Sequence, residues 1–143
     1  MKEQIIGTWR LISWTRIVGD REEAGPLGPN VIGFIMYTAD GYMCGNGMRL
    51  NRPKFPNPDF QAATTEEKSE AFESYFGYCG RYEVDESGEF VTHKVEVSSF
   101  PNFSDSMQKR FVTISGDQMR ITTPPVSVDG KQGYHVLLWE RAM

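Results

Sequence analysis

The chain has only two cysteines and two histidines among its 143 residues, and it contains no long apolar run and no cluster of Lys and Arg. Each scarcity excludes something. No stretch approaches the roughly 20 apolar residues of a membrane-spanning helix, so no membrane insertion is expected. A net charge of -4 without a basic stripe argues against nucleic acid and against anionic membrane surfaces as partners. Cys44 and Cys79 match no zinc spacing, and with so few His residues no metal site and no cofactor are expected. The opening Met-Lys-Glu-Gln-Ile-Ile-Gly lacks the apolar core of a secretion signal. The two cysteines therefore read as free thiols in a reducing, cytoplasmic setting. No Gly-x-Ser-x-Gly elbow and no phosphate-binding loop occurs, so no nucleophile can be named.

What is present is aromatic, β-branched and interrupted by turns. Aromatic residues make up 13% of the chain, too many for a disordered segment. Residues 1–143 read as one domain. Gly7–Val18, Ile32–Thr38, Tyr42–Leu50, Tyr78–Val84, Phe90–Val97, Met107–Ser115, Gln118–Thr123 and Gly133–Arg141 read as strands. Asp20–Asn30 reads as a connecting loop, and Ala39-Asp40-Gly41 as a tight turn. Gly45 and Gly47 suggest a bend or bulge within their strand. One short helix is expected within Thr64–Gly77. Thr64 and Glu67 have capping-box spacing, and Ala71, Phe72, Tyr75 and Phe76 form an apolar stripe. Short turns between successive strands imply an antiparallel up-and-down meander. About eight strands would close it into a barrel without free edges.

Gly7-Thr8-Trp9 at the head of the first strand resembles the Gly-x-Trp start of lipocalins. The blocks GTWRLISW, GFIMYTADGYM, YCGRYEVD, VTHKVEVSSFPN and RFVTISGDQMRITTPP, with the closing LLWERAM, resemble in order the microbial lipocalin-like domain family. The resemblance spans nearly the whole chain. It implies an all-β lipocalin-like barrel of the calycin type, with a helical or loop insertion. It also implies that Trp9 is buried at a closed barrel end and that Arg141 of the last strand packs over its ring. The family pattern usually has glycine near position 105, where this chain has Asp105, so the turn there is expected to be longer or differently shaped.

The candidate polar residues of the cavity follow from alternation. Val91, His93, Val95 and Val97 fall on one face of their strand, and Arg110, Val112 and Ile114 on one face of the next. If both faces point inward, a cation stands beside a histidine in an apolar cup, where a carboxylate or enolate would satisfy it. The competing reading leaves Arg110 in solvent or against an internal acid, and His93 as a core histidine bonded to a tyrosine. Tyr78, Tyr82 and His135 are further cavity candidates. His135 alternates with Leu137 and Trp139. The segment Pro53–Gly77 is expected to act as a lid through Phe72, Tyr75 and Phe76.

Three functions follow. The first is binding of a small hydrophobic or amphipathic molecule, such as one bearing a carboxylate, inside the barrel. The second is an isomerase or cyclase acting on an apolar metabolite in the same cavity, with His93 or a tyrosine as acid–base catalyst. The third is a barrel packed shut that serves as a structural or interaction module.

Overall fold

Strand-forming segments account for most of the chain because β-branched and aromatic residues alternate with polar ones over short stretches. A computed structural model describes all 143 residues, apart from the side chain of Val128. The strands are β1 (Gly7–Val18), β2 (Arg21–Ala24), β3 (Val31–Tyr37), β4 (Tyr42–Arg49), β5 (Tyr75–Val84), β6 (Phe90–Ser98), β7 (Met107–Ser115), β8 (Gln118–Thr122), β9 (Val126–Val128) and β10 (Lys131–Arg141). Helix α1 (Thr65–Glu73) lies between β4 and β5. All strand pairs are antiparallel. They run β1-β3-β4-β5-β6-β7-β8-β10, and β10 pairs back onto β1 to close an eight-stranded barrel. The short strands β2 and β9 extend hairpins from β1 and β10. β2 falls in the stretch Asp20–Asn30 that the sequence marks as a loop.

Closure is sealed at one end by Trp9. Its ring is fully buried and its indole N–H donates to the Ile5 carbonyl at 2.9 Å. In register, Trp9 of β1 faces Arg141 of β10, and the guanidinium lies 3.9 Å from the ring centroid. Arg141 also donates to the carbonyls of Ile6 and Gln4. One side chain thus stacks on the plug and ties down the chain leading into β1.

Four sequence expectations change. Cys44 and Cys79 are not free thiols: they face each other in register on β4 and β5 and form a disulfide. Alternation places both on the same outward side of a strand pair, within reach of one another. The reducing compartment inferred from free thiols loses that support. Among the described residues, no helix is long and apolar enough to cross a membrane.

Gly45 and Gly47 make no bulge, since the β3–β4 and β4–β5 registers run through them unbroken. They leave room instead: a Cβ on Gly45 would sit 3.1 Å from Ile35, and one on Gly47 3.2 Å from Leu11. The irregularity in this region falls between β5 and β6. There Cys79 pairs with Val97 but Gly80 with Val95, so Glu96 is an extra residue. Only glycine fits opposite it, because a Cβ on Gly80 would come 2.1 Å from the Lys94 carbonyl oxygen. The extra residue turns Val97 outward, 62% exposed, rather than into the barrel wall.

The helix forms where its capping box places it. Thr64 accepts from the Glu67 N–H and Glu67 accepts from the Thr64 N–H. It ends at Glu73, however, and Tyr75 already belongs to β5. The expected lid stripe is therefore split. Phe72 is 55% exposed on a helix that buries none of its residues, while Phe76 reaches inward from a strand. At position 105 the chain turns with φ +63°. Aspartate tolerates this left-handed region better than most residues, so it can stand where the family pattern has glycine.

Candidate functional site: a cup at the open end of the barrel

The end opposite Trp9 is where β2 leads to β3, β4 to β5, β6 to β7 and β8 to β9. It opens into a cavity of about 360 Å³. The barrel is not packed shut. Inward positions of the strands supply the apolar wall: Leu11, Ile35, Ile121, Leu137 and Trp139. Gly45 and Gly47 keep the β4 wall low. Phe76 of β5 and two phenylalanines of the β6–β7 connection, Phe100 and Phe103, cluster at the open end. The Phe76 and Phe103 centroids are 5.7 Å apart, and those of Phe100 and Phe103 5.2 Å. This cluster, rather than α1, supplies the aromatic rim. A short turn at Pro101–Phe103 presents both phenylalanines. The pattern Phe-Pro-Asn-Phe was the available sign.

His93 and Arg110 lie on paired antiparallel strands. His93 faces Gln108 in register and Val91 faces Arg110. Both line the cavity, with Tyr78 and His135. Tyr82 does not. Its hydroxyl donates to the Thr38 carbonyl at 2.7 Å and its ring packs edge-on against Tyr37, toward the closed end. Tyr82 shares its strand face with Tyr78 but sits further along β5, toward the plug.

The polar groups are linked. The Tyr37 hydroxyl lies 2.7 Å from His93 Nε2, and the Tyr78 hydroxyl 2.6 Å from Nδ1. Both ring nitrogens of His93 are thus engaged by tyrosines. Burial, with the Arg110 charge adding to it, lowers the His93 pKa to about 3, so the imidazole is neutral at ordinary pH. Burial raises the Tyr37 phenol, and the Arg110 charge partly opposes it. Burial likewise raises Tyr78, opposed by the charge of Arg110. On the far wall Trp14 donates to His135 Nδ1 at 2.9 Å, which leaves the His135 Nε2 position to carry the proton. His135 is lowered by burial and then by Arg16 and Arg110. The Trp139 indole N–H is buried without a partner.

Arg110 is the one cation on this wall, and no Asp or Glu lines the cavity among the described residues. Its Nη1 donates to the Lys109 carbonyl at 2.8 Å. Its charge acts on Tyr78, whose pKa it lowers against the effect of burial. Tyr37, Trp14 and the phenylalanine rim belong to this site, yet the alternation of their own strands marks them only as core aromatics.

A family model for the lipocalin-like domain matches residues 6–142. The chain belongs to that family. A curated relative of the lipocalin-like chain, the 4'-hydroxy-3'-methoxypropiophenone carrier protein ppsC of Aspergillus oryzae, is 32% identical over 106 residues. The match covers 69% of this chain and 96% of the relative. No solved structure matches the lipocalin-like chain. Family membership and a relative named as a carrier support small-molecule binding as the general role of the lipocalin-like barrel.

Proposed function

We propose that the protein is a carrier for a compact, largely apolar molecule with one polar end, held inside the barrel. The observation that carries this reading is the cavity itself: an apolar wall, an aromatic rim and a few polar groups gathered on β5, β6 and β7. Small-molecule sites combine these features. At about 360 Å³ the cup lies near the lower limit of ligand pockets, which favours a one-ring compound over a sterol or a long acyl chain. The aryl ketone in the relative's name has this size and shape.

The catalytic alternative draws less support. General acid–base catalysis works best with a group that titrates near the working pH. His93 is held far below that range with both nitrogens occupied, and His135 is lowered too.

The test is fluorescence titration with 4'-hydroxy-3'-methoxypropiophenone. Trp14 and Trp139 lie on the wall, so a bound aromatic ring should quench them saturably. Gly47→Val, which adds bulk against Leu11 and Leu27, should weaken binding about tenfold, a loss of roughly 1.4 kcal/mol. Chromatography of the recovered ligand should show it unchanged. Absence of saturable quenching, by a protein whose circular dichroism remains that of a folded barrel, would overturn the reading.

A further inference from the structure

We propose that Tyr78 and Arg110 form an oxyanion site in the cup, so that the ligand is bound through an ionised oxygen. This rests on the carrier reading and names the chemistry of the bound end.

The argument begins with Tyr37. Its side chain is buried, and His93 is the sole hydrogen-bond partner of its hydroxyl among the described residues. If His93 carried its proton on Nε2, that proton would go to the Tyr37 oxygen. The Tyr37 hydrogen would then be stranded in the core, a costly arrangement. The satisfied arrangement has Tyr37 donating to Nε2. His93 then carries its proton on Nδ1 and donates it to the Tyr78 oxygen, 2.6 Å away. The Tyr78 hydrogen cannot return to His93 and is directed into the cup.

Arg110 lines the same cavity as Tyr78, its charge acts on that phenol, and no carboxylate lines the cavity among the described residues. A phenol donor and a guanidinium beside it, in an apolar cup, together make a receptor for negative oxygen. Both ring nitrogens of His93 are taken up by tyrosines, so it offers the ligand no hydrogen bond. Tyr37 and His93 are positioning residues that fix which way the Tyr78 proton points. A phenol para to a ketone is unusually acidic, because the ring conjugates its oxyanion with the carbonyl. Such a phenolate meets the requirement, and so does an aryl carboxylate of the same size.

The experiment uses three probes on the intact protein: 4'-hydroxy-3'-methoxypropiophenone, its methyl ether, and the matching dimethoxybenzoate. Binding is measured at a pH where the free phenol is protonated, and the absorption spectrum of the bound phenol is recorded. The expected result is a shift to the long-wavelength phenolate band on binding. The phenol or the benzoate should bind about tenfold or more tighter than the ether. Whichever of the two anions binds tighter identifies the source of the oxygen.

Arg110→Met should abolish the phenolate band and bring phenol and ether affinities together. Tyr37→Phe should weaken the band although it removes no ligand contact, because His93 is then free to take back the Tyr78 proton. The ether should bind that variant as before. Equal wild-type affinity for all three probes, with a neutral-phenol spectrum, would overturn the oxyanion site and leave the carrier reading standing. Failure of every probe to bind would overturn both.

Discussion

The Tyr37 hydroxyl and His93 Nε2, 56 residues apart in the chain, meet at 2.7 Å in the sealed part of the barrel. With Tyr78 on the other ring nitrogen, the imidazole is built into the core as a neutral group.

A pH dependence of stability follows. Unfolded, His93 titrates near 6.5; folded, its pKa is about 3. Below 6.5 the unfolded chain binds the proton more readily than the native one. The stabilisation is therefore complete above 6.5 and is lost as pH falls toward 3. By pH 4 the loss from this residue alone amounts to about 3 kcal/mol. Urea midpoints measured from pH 7 to 4 should fall for the wild type. They should fall less steeply for His93→Gln, which keeps hydrogen-bonding groups but does not titrate. Parallel slopes for the two proteins would remove His93 as the cause.

The plug at the closed end makes a second prediction. Trp9→Ala should destabilise by about 3–5 kcal/mol as a large-to-small change at a fully buried position. Arg141→Met should cost about 2 kcal/mol through loss of the ring contact and of its bonds to the Gln4 and Ile6 carbonyls. The two residues touch, so the double variant should lose less than the sum. Strict additivity in denaturant melts would show that the stacking carries no energy.

The third concerns the disulfide. Cys44 and Cys79 close a loop with a sequence separation of 35. Restricting the unfolded chain over that span is worth about 3–4 kcal/mol in the loop-entropy account. Cys44→Ala/Cys79→Ala, or reduction of the wild type, should lower stability by about this amount. Thiol titration of the denatured, unreduced protein should find no free thiol. Two titratable thiols and no change on reductant would show that the pair is open.

Much of the barrel was legible in the residues. Alternation placed His93 between Val91 and Val95 and set Arg110 with Val112, and both faces point inward. Thr64 and Glu67 marked the helix start because a capping box is a contact between near neighbours. Trp9 and Arg141 came from the lipocalin resemblance, and the closing pair β1–β10 brings them together.

What the chain alone determined was local: strand faces, turn positions and a helix start, each set by interactions within a few residues. Only the tertiary structure decided the rest. Whether Phe76 belonged to a helix stripe or a strand depended on where β5 could pair with β4. The disulfide depended on Cys44 and Cys79 falling opposite each other in that same register. The extra Glu96 turned Val97 out, and nothing in the local alternation announces it. The bonding of His93 by tyrosines from β3 and β5, and the direction of the Tyr78 proton that follows, exist only once the barrel has closed. Closure converts separate strand faces into one shared interior, where a polar group is satisfied by whatever the other strands bring to it.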